Sequence, residues 1–182
     1  AAQVGRHYLE AALGAGVVVA RYFGSGDYGK VSRAVHTNIA LGLASGAVLT
    51  AFGVIMCPSI LRWLGTAESV LPQSVSYLRF YFAGVLANVM YNIFNSILDA
   101  VGDSKHPLYY LIISSCLNIA LDLLFVGVFH WGVWSAAVAT VISQLVSAVL
   151  CLAHLMEKGA VYQVRFRDIR FHGDMLRQII KY

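Results

Sequence analysis

Four stretches of this chain, residues 34–61, 80–98, 106–121 and 123–156, contain no Asp, Glu, Lys or Arg. A helix with one wet face carries charge every turn or two. A helix crossing the roughly 30 Å hydrocarbon core of a bilayer instead needs about 20 mostly apolar residues, and uncharged runs of this kind read as spans. Only 12% of the residues are charged and 59% are hydrophobic, against about 25% charged in an ordinary soluble domain. Mean hydropathy is +0.70. The chain therefore reads as all-α, a polytopic bundle of transmembrane helices.

The last run is interrupted by "HWGVW", a glycine flanked by aromatics of the kind that sit at a membrane interface, and splits there into two helices. Helices are expected at about 8–23, 35–58, 78–100, 107–129 and 133–156, which makes about five spans. The first is short: Tyr8 to Phe23 covers only about 24 Å at 1.5 Å per residue, and it includes Glu10. The chain opens on Ala1 rather than Met, so a preceding helix is expected to be missing. No short apolar core leads to a small-residue cleavage site, as a signal peptide would require. Cys57, Cys116 and Cys151 all fall in or at the end of apolar spans without a C-x-x-C pair, and are expected to be buried small hydrophobes.

Basic residues divide unevenly between the two sides that five spans define. Arg21, Lys30, Arg33, Lys105, Lys158, Arg165, Arg167, Arg170, Arg177 and Lys181 fall on one side; Arg6, Arg62 and Arg79 fall on the other. The positive-inside rule then places "GSGDYGK", "GDSKHP" and the C-terminal tail in the cytoplasm. Residues 1–156 form the transmembrane bundle and 157–182 a cytoplasmic linker, expected to be solvated. Within that linker Gly173-Asp174 before "MLRQIIKY" has the form of a helix start.

Three motifs point to enzymes or metals and fail on context. "GSGDYG" fits the letters of a dinucleotide fingerprint, but an uncharged span follows it and the next acidic residue is Glu68, so a Gly-rich turn at the membrane face is expected. Asp99 and Asp122 do not share a depth, which excludes an intramembrane aspartyl pair. The six histidines form no H-E-x-x-H, and their scatter argues against a metal site among them. No enzyme, no resident cofactor and no nucleic-acid partner is expected.

The buried polar residues carry the functional signal. An acidic residue at the bilayer centre costs on the order of 3 kcal/mol on insertion scales, so it is tolerated when it faces a cavity or a partner. Asn118 and Asp122 in "LNIALDLLFV" are spaced i, i+4 and share a helix face, and Thr140 and Gln144 repeat that spacing on the next helix. The two helices run antiparallel, which brings Thr140 to roughly the depth of Asp122. One carboxylate, one amide and one hydroxyl make a hard-oxygen pocket suited to Na⁺, or a carboxyl that carries a proton itself. On the third span Asn88, Asn92 and Asn95, with Tyr91 alongside, form a polar stripe of the kind that faces a bundle interior or a water-filled path. Gly42 and Gly46 form a G-x-x-x-G step for close helix packing.

The segments "ARYFGSGDYGKVSRAV", "ILDAVGDSKHPLYYLIISSCLNIALDLLFV" and "GVWSAAVATVISQ" resemble the multidrug and toxic compound extrusion (MATE) transporters over nearly the whole chain. The resemblance implies helices two to six of a twelve-helix antiporter, within its N-terminal lobe. It implies exchange of Na⁺ or H⁺ for cationic drugs by rocking between outward and inward states. Carried over residue by residue, Asn118, Asp122 and Thr140 match positions of the N-lobe cation site. The aspartate that the first helix supplies in the family is absent here, and Asp99 stands where many members have Arg.

The expected function is a secondary active antiporter in the inner membrane that exports organic cations in exchange for Na⁺ or H⁺. Its coupling residues are Asn118, Asp122 and Thr140, and its substrate cavity is lined by Asn88, Asn92, Asn95, Tyr91 and Gln144. Its expected partners are the lipid bilayer, an organic cation, and the first helix and C-terminal lobe of the same transporter. A lipid or lipid-linked sugar flippase, which would place basic residues within the spans, and a non-transporting membrane scaffold are the alternatives.

Overall fold

The structure is a computed structural model that describes residues 16–157, 160–170 and 172–181. The first expected helix falls mostly outside these residues; its described part, residues 16–24 (α1), is helical. Six further α-helices follow: α2 (Tyr28–Trp63), α3 (Leu71–Ala83), α4 (Val85–Ala100), α5 (Lys105–Asp122), α6 (Trp134–Leu155) and α7 (Gly173–Lys181). A π-helical turn, Leu123–Val128, continues α5, and a 3₁₀ turn, Phe166–Asp168, precedes α7. Among the described residues α2, the α3–α4 pair, α5 with its π turn, and α6 are each long and apolar enough to cross a membrane.

Local chemistry sets the helix ends. After α1, α2 and α4 the chain turns through Gly26 (φ +72°), Gly65 (φ +73°) and Gly102 (φ +89°). At each the amide beyond the glycine reaches back five residues: Asp27 to Tyr22 O, Thr66 to Leu61 O and Asp103 to Leu98 O, at 2.9–3.1 Å. These are Schellman caps, which need a left-handed residue that only glycine adopts without strain. Asp27 then caps α2, its carboxylate accepting from Lys30 N at 3.2 Å. The "GSGDYG" segment is thus a helix–turn–helix joint, as expected.

Two expected boundaries move. α2 spans Tyr28–Trp63 instead of 35–58, 36 residues or about 54 Å of helix. Uncharged residues mark only the part within hydrocarbon, whereas the Asp27 cap and the Gly65 turn mark where the backbone stops being helical. The span expected at 78–100 begins at Leu71, with a proline in its first turn. It divides at Gly84, where a Cβ would run into Val141 of α6. The expected packing step on α2 is present: at Gly46 a Cβ would lie 2.7 Å from Leu86 Cδ1, and at Gly42 it would strike Ile93 Cδ1.

The core gathers at one end of the bundle. Val31, Val35 and Ile39 of α2, Ile93, Ile97 and Leu98 of α4, and Cys151 and Leu155 of α6 are buried there together. Val164, Met175 and Ile179 of the tail complete the cluster at 1–2% exposure. The expectation of a solvated linker therefore gives way to a docked one, because its apolar residues close the end of the core. Arg165 N donates to His36 Nε2 at 3.1 Å, His172 N to Thr37 Oγ1 at 3.4 Å, and Tyr22 OH to Gln178 Oε1 at 2.8 Å.

Cys57 and Cys151 are buried as expected, but Cys116 is exposed on α5. That helix turns most of its apolar surface outward, Leu111, Ile112 and Ile119 among it. Such surface suits lipid or further helices.

Candidate functional site

α5 and α6 pack side by side and bring the polar pair of one against that of the other. Thr140 Oγ1 donates to Ala136 O at 3.0 Å, within its own helix, and so keeps lone pairs free for an external donor. Asn118 Nδ2 supplies one at 3.5 Å, the outer limit of a hydrogen bond. One helical turn further along α5 stands Asp122, whose Oδ1 is buried and has no hydrogen-bond partner among the described residues. Burial of such an atom is costly unless something compensates it.

Asp122 is also the last α-helical residue before the π turn. There Phe129 N reaches Leu124 O at 2.9 Å, and the rings of Phe125, Phe129 and Trp131 close over one another, Phe125 and Trp131 at 5.0 Å between centroids. Single π-helical turns within α-helices are frequent at functional sites. The sequence gives no sign of this one, because its residues are as apolar as those before it.

The residues expected to line a substrate cavity divide. Asn92 Nδ2 donates to Asn88 O at 2.8 Å and Asn88 Oδ1 at 3.1 Å, so these two form a linked polar step on α4, with Asn92 exposed. Tyr91 packs against the core cluster instead. Asn95 and Gln144 are half-buried, the latter one turn along α6 from Thr140. A cavity of about 320 Å³ does lie between α2, α4 and α6, lined by Leu43, Met90, Phe94, Val141, Leu145 and others, but none of the expected site residues lines it. It is an apolar crevice, and the polar geometry on α5 and α6 is the better guide to ion chemistry.

Histidine is where the sequence reading falls short. His106 and His154 are not scattered: their rings stack at 4.3 Å, and both meet Asp103. His36 is buried and receives the tail. The signals available were Asp103 and His106 at i, i+3, and His154 and Glu157 at the same spacing. Neither pair shows by itself that the two meet.

The MatE family model matches residues 9–124. A probable multidrug resistance protein of Bacillus subtilis, YoeA, is 31% identical over 149 residues, 80% of this chain and 32% of the relative. The multidrug export protein MepA of Staphylococcus aureus is 25% identical over 169 residues, 93% of this chain and 38% of the relative. Among solved structures, the inward-facing conformation of a multidrug resistance MATE transporter of the MOP superfamily superposes with a TM-score of 0.87 at 27% identity, covering 96% of this chain and 40% of that one. The chain thus spans between about a third and two fifths of the length of the proteins it matches.

Proposed function

Because the chain belongs to the MatE family of multidrug efflux transporters, we propose that it forms part of a secondary active antiporter, one that exports organic cations across the cell membrane in exchange for Na⁺ or H⁺. Asp122 is the coupling carboxylate. The observation that carries this reading is its buried, unpartnered Oδ1 beside the Asn118–Thr140 contact. An ionised carboxylate in this position is costly, and a cation or a proton removes that cost.

For Na⁺ the chain offers hard oxygen donors: the Asp122 carboxylate, the Thr140 hydroxyl and the Asn118 amide. The amide presents its NH₂ to Thr140, so ion binding requires a half-turn of the amide group, which is a low-cost rotation. For H⁺ the carboxyl itself is the carrier. Coupling then follows from differential affinity: an ion that binds one arrangement of the bundle better, and a drug that binds the other better, drive each other's release. Asn88 and Asn92 supply polar contacts along the drug's path, and the tail-side end of the bundle faces the cytoplasm.

The test is efflux of a fluorescent organic cation from cells expressing the complete reading frame, with and without Asp122→Asn, at matched membrane levels. Loss of efflux in the variant alone is expected. Equal efflux from both would remove Asp122 from the coupling mechanism.

A further inference from the structure

A second polar cluster lies at the tail-side end, away from the Asp122 site. Asp103 stands in the turn after α4, just past Gly102. His106, three residues later, is the second residue of α5, and His154 comes from the last turn of α6. His106 Nδ1 lies 2.8 Å from both Asp103 oxygens, and His154 Nε2 lies 2.8 Å from Asp103 Oδ2. The three ligand atoms all fall within 4.8 Å of one another. Asp103 and His154 are mostly buried, with side chains 23% and 15% exposed, while His106 is open at 49%. Glu157 Oε2 lies 3.7 Å from His154 Nδ1, the ring nitrogen facing away from Asp103.

We propose that Asp103, His106 and His154 bind a divalent transition-metal ion of the Zn²⁺ class that ties the start of α5 to the end of α6. Two imidazoles and one carboxylate are the donor set such ions take, whereas Mg²⁺ and Ca²⁺ prefer oxygen throughout. Each short N···O contact holds a proton between two donors that a metal ion would otherwise join. Metal–ligand bonds of about 2.0–2.2 Å put neighbouring donors about 3.2–3.5 Å apart, so the cluster opens by only a few tenths of an ångström. Glu157 Oε2, 3.7 Å from His154 Nδ1, lies just beyond hydrogen-bond distance on an exposed side chain, so a small side-chain movement lets it accept from that nitrogen as an outer-shell carboxylate does. The exposed side of His106 leaves room for a water as fourth ligand and gives the ion its way in.

The sequence supports the same placement. Asp103, Lys105 and Glu157 mark this end of the bundle as the water boundary, so a hydrated ion reaches the cluster without entering hydrocarbon. The clamp joins the two helices that carry Asn118, Asp122 and Thr140, but its existence does not depend on transport.

The test uses the complete protein in detergent, with any affinity tag removed and metal stripped by chelator. Co²⁺ is titrated while its visible d–d absorption is followed, and Zn²⁺ is then added as competitor. One equivalent of Co²⁺ with four- or five-coordinate bands, displaced by Zn²⁺, is expected. Affinity should fall at least about tenfold in Asp103→Asn and in His154→Gln, which keep hydrogen-bonding capacity so that the bundle remains folded. Zn²⁺ should raise the melting temperature of the parent protein and not of the variants. Absence of saturable binding, or equal binding by the parent and both folded variants, overturns the proposal.

Discussion

A buried carboxylate oxygen that accepts no hydrogen bond costs on the order of 1–3 kcal/mol, and Asp122 Oδ1 is such an atom. Asp122→Leu should therefore leave the melting temperature of the detergent-solubilised protein unchanged or raise it, while abolishing ion-coupled efflux. A variant that no longer folds would mean that Asp122 holds the bundle together instead. Asp103 behaves oppositely, because it is partnered. Burial pushes its carboxyl up, but hydrogen bonds from His106 and His154 together outweigh burial and hold it below the ordinary carboxylate range. A depressed folded value means that this stabilisation is fully present above the ordinary range and is lost as pH falls through the lower, folded value. The melting-temperature difference between the parent and Asp103→Asn, measured without metal, should persist at neutral pH and shrink below about pH 4. Of these residues the sequence exposes Asn118 and Asp122, since i, i+4 neighbours share a face whatever the tertiary fold. It conceals the Asp103–His154 pair, 51 residues apart, because only the packing of α5 on α6 brings them together.

Helix positions were legible for the same reason that the chain is recognisable as a membrane protein: hydrocarbon tolerates no charge, so uncharged runs locate α5 and α6 closely. What such runs do not reveal is what happens to backbone within or beyond the membrane. α2 continues past its uncharged run at both ends, and the π turn after Asp122 has no compositional mark. The break at Gly84 is a packing device. Its missing side chain admits Val141, a β-branched residue with little freedom to move aside. Gly84→Ala should cost about 1–3 kcal/mol by overpacking, read as a lower melting temperature. Gly127→Ala, where nothing lies within 4 Å of an added Cβ, should be close to neutral and serves as the control. Equal effects from the two substitutions would contradict close packing of α3–α4 on α6.

The molecule as a whole is tighter at one end than at the other. At the tail-side end the helices converge on Ile97, Leu98 and Leu155, and Val164, Met175 and Ile179 fold back to close the cluster. Along α5 and the far half of α2 the apolar residues Ile119, Leu123, Phe52 and Ile55 are exposed, as suits helices that meet lipid or further helices. The docked tail was not legible because apolar residues interleaved with basic ones describe a solvated linker and a docked one equally well. Fully burying an isoleucine is worth about 1.5–3 kcal/mol, so Ile179→Asp should release α7. Limited proteolysis should then cut within residues 160–170 faster than in the parent protein, with the spans intact; an unchanged rate would mean that the tail is held by other contacts.

Whether Asp122 couples ion to drug can be read in proteoliposomes containing the complete transporter. An imposed Na⁺ or H⁺ gradient is used to drive uptake of an organic cation, and the reciprocal flux of the ion is recorded in the same vesicles. The parent protein should move both species in opposite directions in a fixed ratio, and Asp122→Asn should move neither in response to the other. Gradient-driven exchange at the parent's ratio in Asp122→Asn would contradict the assignment.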